Sequence, residues 1–349
     1  MNAPARPSPQ PDDRPRAATP EHCPQRPYFD AESGAWVLSR YGDVQAAFYE
    51  VNLCPVSSHS EGQVTAETRA LLARTRSQTL AAMAAAKVAE WESEFAPLAH
   101  TMASALPVSW PVDVCGEFAR PWSLALAVRV TGADPKEIER LLALAARVSM
   151  ATADPENTDR ALSEAADAEL NTELKSEAQP MAGPAFVALS QTLPALLANA
   201  WFLLLGQPAE LERLRENRDL LPHAVEELLR MGGVAHVLHR QAISDVQLGD
   251  LEIKAGQRVR LLLDSVHRDP VHFPEPDRLD ISRRASSQFA LGAGSHSCAA
   301  AALLRMAVGA ATAAFVEHFT ATDSATPVEW HGGSGFRWPA SLYAQRRAR

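Results

Sequence analysis

Cysteine is scarce. Four thiols in 349 residues cannot build a disulfide framework, which points to a reducing compartment and a cytoplasmic setting. Basic charge is not in excess either. Thirty-three Lys and Arg stand against 42 Asp and Glu, a net charge of −9, so the chain lacks the electrostatic footprint of a nucleic-acid binder. The first 26 residues contain seven prolines and no apolar core. That excludes a secretory leader in this stretch and predicts a disordered or extended Pro-rich arm over residues 1–26. Beside His236-Val237-Leu238-His239 there is no second cluster at metal-ligand spacing, so these histidines read as polar contacts or surface residues.

What is present is globular. With 46% hydrophobic and 21% charged residues, the chain can bury a substantial core. Residues 28 to 48 predict a short hairpin around Ser33-Gly34, then a helix starting near Asp43. Glu67 to Leu106 and Pro135 to Ala178 are rich in Ala, Leu, Glu and Arg at helical spacing. From Ala178 to Ala209 there is no charged side chain. Its centre, Phe186 to Leu205, has the length of a membrane span, but Ser190, Gln191, Thr192, Pro194 and Asn199 interrupt it. No basic cluster flanks it closely. A helix buried on all sides of a folded domain is the better reading, with no membrane partner. Beyond a helical stretch from Glu210 to Met231, broken near Leu221-Pro222, the period changes to two. Two strands are predicted, one through Val246, Leu248, Leu251 and Ile253, the other through Val259, Leu261 and Leu263, joined at Ala255-Gly256.

The chemistry lies towards the end of the chain. Gly292-Ala293-Gly294 has no third glycine and no acid about 20 residues on, so a dinucleotide fingerprint is not supported. Cys298 sits where that Gly-rich loop runs into an Ala/Leu helix expected to start around Cys298. A lone cysteine is most often a small buried hydrophobe. At a helix N-terminus, free N–H groups lower a thiol's pKa and suit it to be a nucleophile or a metal ligand. No catalytic His and Asp stand nearby in sequence, which favours the ligand role.

Taken together, several segments resemble the cytochrome P-450 family in its bacterial, soluble form. Leu291-Gly292-Ala293-Gly294-Ser295-His296-Ser297-Cys298 is similar to the family's haem loop, F-G-x-G-x-H-x-C, and Arg305 stands seven residues beyond the cysteine as in its L-A-R ending. Glu227-Leu228-Leu229-Arg230 matches E-x-x-R, and His239-Arg240-Gln241-Ala242 follows at the usual interval. His267-Arg268-Asp269-Pro270 and Phe273-Pro274-Glu275-Pro276-Asp277-Arg278 resemble N-R-D-P and F-P-x-P-x-R. The resemblance runs from about Phe186 to Phe319, and more loosely from Tyr28 to Ala178.

The resemblance implies a mainly α fold with a minor β region, as one haem domain over residues 27–349. It makes Cys298 the axial ligand of haem b iron. Arg240 and His296 would hold the propionates, with Gly292 and Gly294 shaping the loop; Arg69 and Arg74 are only candidates for the early-helix propionate contact. Glu227, Arg230 and Arg278 would form a buried ion-pair network, whereas without the resemblance Glu227 and Arg230 read as a solvated helix pair. Ala188, Leu189, Val234, His236 and Val237 would touch substrate. The implied activity is monooxygenase-type oxidation of a small or medium-sized organic molecule with dioxygen or peroxide. The sequence has no flavin or iron–sulfur spacing, so electrons would come from a separate ferredoxin and reductase.

Two departures matter. Where the family carries A-G-x-(D/E)-T, this chain has Ala188-Leu189-Ser190-Gln191-Thr192. Thr192 and Gln191 become the catalytic candidates, and Gln191 cannot titrate. Pro194 should also kink the helix. Between Leu144 and Phe186 the chain is short for the usual distal helices, implying a trimmed lid around residues 145–185. Two alternatives stay open: an atypical haem-thiolate enzyme (peroxide-driven, coupling, rearrangement or dehydration chemistry), or a haem-binding protein without turnover.

Overall fold

Helices build most of the molecule because Ala, Leu, Glu and Arg dominate its long periodic segments. The computed structural model describes residues 25–55, 77, 80–81, 83–153, 158–174, 182–284, 287–294, 297–322, 328–333 and 335–348. Residues 1–24 of the arm expected over 1–26, and also Arg69, Arg74 and His296, lie outside the described residues.

The chain opens on the hairpin β1 (Tyr28–Asp30) and β2 (Ala35–Leu38), then α1 (Tyr41–Tyr49) and β3 (Leu53–Pro55). A helical series follows: α2 (Ala85–Ala105), the short strand β4 (Val112–Asp113), α3 (Arg120–Thr131), α4 (Ile138–Ala153) and α5 (Arg160–Glu173). Gly132 ends α3 at φ +71°, its N–H donating to the Val128 carbonyl, a left-handed stop that glycine adopts without steric cost. Asp159 begins α5 by accepting from the Leu162 N–H, a capping bond worth about 1 kcal/mol. Helices α4 and α5 run into and through the stretch, residues 145–185, for which a trimmed lid is expected.

The charge-free run forms α6 (Ala182–Val187), one π-helical turn over Ala188–Thr192, and α7 (Leu193–Leu205). Every residue of α7 is buried. The full 182–205 helix is long and apolar enough to cross a membrane, yet most of it is inside the protein. Its polar groups are satisfied there. Asn199 Nδ2 donates to the Arg337 carbonyl at 2.9 Å and Trp201 Nε1 donates to Thr312 Oγ1 at 3.3 Å. The Trp201 ring stacks on Phe118 and on Phe315, at centroid distances of 5.2 and 4.6 Å. A lipid-facing helix would have no such partners. This is the axis of the core.

Next come α8 (Pro208–Glu216) and α9 (Leu221–Gly232), so the expected break falls at Asn217 to Leu220. The strands β5 (Val237–Ala242), β6 (Val246–Leu248), β7 (Leu251–Ile253) and β8 (Arg258–Leu262) follow. This corrects the two-strand reading. β6 and β7 form their own hairpin about Gly249-Asp250, while β8 joins a five-stranded sheet ordered β1-β2-β8-β5-β3. In that sheet β2 and β8 pair in parallel and the other neighbours antiparallel. Alternation shows which residues could be strands but not which strands pair. The last helices are α10 (Leu263–Val266) and α11 (Ala301–His318), and β9 to β12 (Phe319–Thr320, Trp330–Gly332, Arg337–Pro339, Tyr343–Arg346) close the chain. Helix α11 packs on α2, α7 and α9, putting the cysteine loop at the edge of the main core.

Candidate functional site

Cys298 lies in a loop held by backbone bonds. The Gly292 N–H donates to the Phe289 carbonyl and the Cys298 N–H to the Leu291 carbonyl, both at 2.8 Å. Gly292 and Gly294 sit at φ +69° and +62°, where a side chain is strained. A Cβ on Gly294 would also lie 2.3 Å from the Phe48 carbonyl oxygen, so the loop meets α1 backbone to backbone. The helix does not start at Cys298 as expected. Ala301 N–H donates to the Cys298 carbonyl in a three-residue turn, and the first four-residue bond runs from Leu304 to Ala300. Cys298 thus remains in the loop, half-buried. Cys115 is buried in the core, which pushes its thiol far above the usual range and makes it a poor ligand.

Two adjacent glutamates of α9 hold this loop. About 100° separates neighbours on a helix, so they serve different faces. Glu226 accepts from Arg305 Nε of α11 at 2.6 Å and from Gln288 Nε2 at 2.9 Å. Glu227 is fully buried and accepts from Arg230 Nε and Nη2 at 2.7 and 2.9 Å, from Arg283 Nε at 3.0 Å and from the Asp280 N–H at 3.2 Å. Arg278 is not part of this network, which corrects the expected triad. Its side chain is 59% exposed and pairs with Glu275 and Asp280. The turn from Glu275 to Arg278, closed by Arg278 N–H on the Glu275 carbonyl, gives it near partners at the surface. Arg283, which sequence reasoning missed and no matched motif includes, takes the buried place.

His267 is the buried hinge between this network and the loop. Its carbonyl accepts from Arg230 Nη1, and its Nε2 accepts from the Phe289 N–H at 2.9 Å. Burial pushes its pKa down to about 3, so it folds neutral. The unfolded chain titrates near 6.5 and takes up the proton first as pH falls. Stability from this group is therefore complete above about pH 6.5 and declines by about 1.4 kcal/mol per pH unit from there towards pH 3. Urea unfolding at pH 7 and pH 5 should show a wild-type loss of about 2 kcal/mol from this source, absent in His267→Asn. Equal losses in both proteins would refute it.

Arg240 on β5 is buried, at 6% exposure. Its Nη1 donates to the His239 carbonyl at 3.0 Å and its guanidinium lies over the Phe48 ring at 5.7 Å. No carboxylate pairs with it among the described residues, and burial pushes its pKa down to about 10. A buried guanidinium without a counter-ion is costly. The same Phe48 touches Gly294, which joins this cation to the Cys298 loop.

The other candidates surround the central helix and β5. Leu193 N–H donates to the Ala188 carbonyl across five residues, the π register, so the expected kink at Pro194 is absorbed as a widened turn. Pro194 has no N–H to give, either to Ser190 in the four-residue register or to Leu189 in the five-residue one. Ala188, Gln191 and Thr192 are half-buried, whereas Leu189 is fully buried in the main core cluster. Gln191 Nε2 donates to Ser190 Oγ at 3.3 Å. Val234 and Val237 are buried, and Val234 to His236 is bonded to residues 335–337. His236 Nδ1 bonds the Asp264 carboxylate, a partner that sequence reasoning missed because it lies 28 residues away.

The Cytochrome P450 family model matches residues 209–339, the stretch holding Glu227, Arg240 and Cys298. Over this stretch, somewhat more than a third of the chain, the sequence is similar to the cytochrome P450 family. A "Putative cytochrome P450 140" of Mycobacterium tuberculosis is 38% identical over 132 residues, covering 38% of this chain and 30% of that protein. "Cytochrome P450 monooxygenase PikC" of Streptomyces venezuelae is 38% identical over 138 residues, covering 39% and 33%. The chain thus spans about a third of the length of the curated relatives it matches. The fold extends further. A Bacillus megaterium structure, CYP109E1 in complex with testosterone, superposes at TM-score 0.78 with 18% identity, over 92% of this chain and 94% of that one. The mainly α cytochrome P450 fold with a minor β region is therefore shown.

Similarity to cytochrome P450 implies haem, and the residues present suit it. Arg240 is a buried cation lacking a carboxylate, which a propionate supplies through charge-assisted bonds. Cys298 is a half-buried thiol at a loop whose glycines allow close approach. These groups, from β5 and from the loop before α11, meet through α1.

Proposed function

We propose that the chain is a haem-thiolate oxidoreductase performing monooxygenase-type oxidation of a small or medium-sized organic molecule. The observation that carries this reading is Arg240, a buried guanidinium with no carboxylate among the described residues, linked through Phe48 to the loop bearing Cys298. Haem b, held through the Cys298 thiolate, would supply the oxidation chemistry. Arg240 would hold a propionate, joined by His296 and by Arg69 or Arg74. Glu226, Glu227, Arg230 and Arg283 keep the loop in place.

The chain's own residues handle substrate and protons. Ala188, Leu189, Val234, His236 and Val237 would border an otherwise apolar pocket, with His236 oriented by Asp264. Thr192 offers a hydroxyl that passes a proton at Oγ1. Gln191 orients water or substrate through its amide but holds no exchangeable acid proton. We place the protein in the cytoplasm, as one domain over residues 27–349 with a trimmed lid, with electrons from a separate ferredoxin and reductase. The oxidant is dioxygen or peroxide.

Gln191 also favours a second reading, peroxide-driven or other atypical haem-thiolate chemistry, because peroxide brings its own protons. Turnover with a ferredoxin donor system against turnover with peroxide alone separates the two. Gln191→Glu restores a titratable group, and under the first reading donor-driven turnover should rise by tenfold or more, within the usual range of acid–base assistance, while peroxide leakage falls. An unchanged donor rate alongside efficient peroxide turnover would favour the second. Failure of the reduced protein to give the family's long-wavelength carbon monoxide band would refute both and leave a haem-free or non-catalytic protein.

A further inference from the structure

We propose that His100, Glu317 and His318 form a binding site for a divalent transition metal such as Zn2+, clipping α2 to the C-terminal end of α11. The three side chains come from two packed helices, and their ligand atoms all lie within 4.8 Å of one another. His100 Nδ1 is 3.3 Å from Glu317 Oε2, and His318 Nε2 is 3.9 Å from Glu317 Oε1. Donors around tetrahedral zinc, at roughly 2.0–2.1 Å from the metal, stand roughly 3.4 Å apart. One pair already has that spacing, and the widest needs to close by at most about 1.4 Å, a small side-chain rotation.

The donor set is informative in itself. Two imidazoles and one carboxylate suit zinc and its first-row neighbours, and disfavour calcium and magnesium, which prefer oxygen. His318 is nearly buried, while His100 and Glu317 are 37% and 48% exposed. One donor is therefore fixed by the core and two remain open to an arriving ion. The imidazole rings meet edge to face at 5.7 Å, which keeps the two side chains close enough to share one ion. Arg218 Nη2 stands 3.8 Å from Glu317 Oε2, its Nη1 held by the Ala313 carbonyl at 3.0 Å. It competes for one carboxylate oxygen and leaves Oε1 beside His318. The site lies at the far end of an 18-residue helix from the Cys298 loop, about 27 Å along its axis, so it is independent of the haem-thiolate reading.

The test is calorimetric titration of ZnCl2 into tag-free, haem-loaded, full-length protein pretreated with chelator. One equivalent should bind, the melting temperature should rise, and the haem absorption should not move. His100→Ala and Glu317→Gln, both at exposed positions, should each weaken zinc binding at least tenfold and abolish the thermal shift. Their zinc-free melting temperatures should match wild type, which shows that the fold survives. Absence of a stoichiometric zinc site in the wild type, or unchanged affinity in both variants, would overturn the proposal.

Discussion

Glu227→Ala is expected to destabilise the protein by about 3–5 kcal/mol, the usual cost of breaking a buried ion pair by removing one partner. Glu227 accepts four bonds, from Arg230, Arg283 and the Asp280 backbone, with no solvent exposure. Without it the guanidinium of Arg230 stays buried, retaining only its bond to the His267 carbonyl. Arg283→Ala should be clearly destabilising too, since Arg283 also holds the Pro274 and Glu275 carbonyls. Arg278→Ala should stay within about 0.5 kcal/mol, because Arg278 and its nearer partner Glu275 are both exposed. Urea midpoints at constant slope provide the measurement. A large Arg278 effect with a small Arg283 effect would show that the network is wired as the sequence motifs suggest, not as described here.

Cys298→Ala should abolish the long-wavelength carbon monoxide band while leaving the helical far-ultraviolet signal in place. The side chain is small and half-buried, so its loss should cost little stability beyond about 1 kcal/mol. The ligand, by contrast, is lost completely. Arg240→Ala should act differently, weakening haem retention while any haem that remains keeps the thiolate band. The buried guanidinium contributes to binding and not to ligation. An unchanged band in Cys298→Ala would remove the ligand assignment, and full haem retention in Arg240→Ala would remove the propionate contact.

The helical regions were legible because their periodicity is a local property, and the haem-loop resemblance because its glycines and cysteine are contiguous. The turn at Gly249-Asp250 and the pairing of β8 were not, since strand partnership depends on residues far apart in the chain. Arg283 for Arg278 is the same lesson in side chains. Two arginines five positions apart look alike in sequence, and only the turn at Glu275 decides which one points inward. The π turn at Ala188–Thr192 was half legible. Pro194 announced a defect, but whether the helix bends or widens depends on the packing around it.

Four cysteines and an acidic balance by themselves argued against a disulfide framework and a general nucleic-acid binder. Position 298, within its Gly-rich loop, singled out one thiol of the four. Those conclusions follow from composition and from residues adjacent in the chain. Tertiary structure decided which charges are buried together, that Arg240 has no carboxylate partner among the described residues, that Leu189 belongs to the core, and that His100 meets Glu317 and His318. The physical reason is common to all of these. The energy of a charge or ligand group is set by what surrounds it, and those neighbours are brought in by folding from distant parts of the chain.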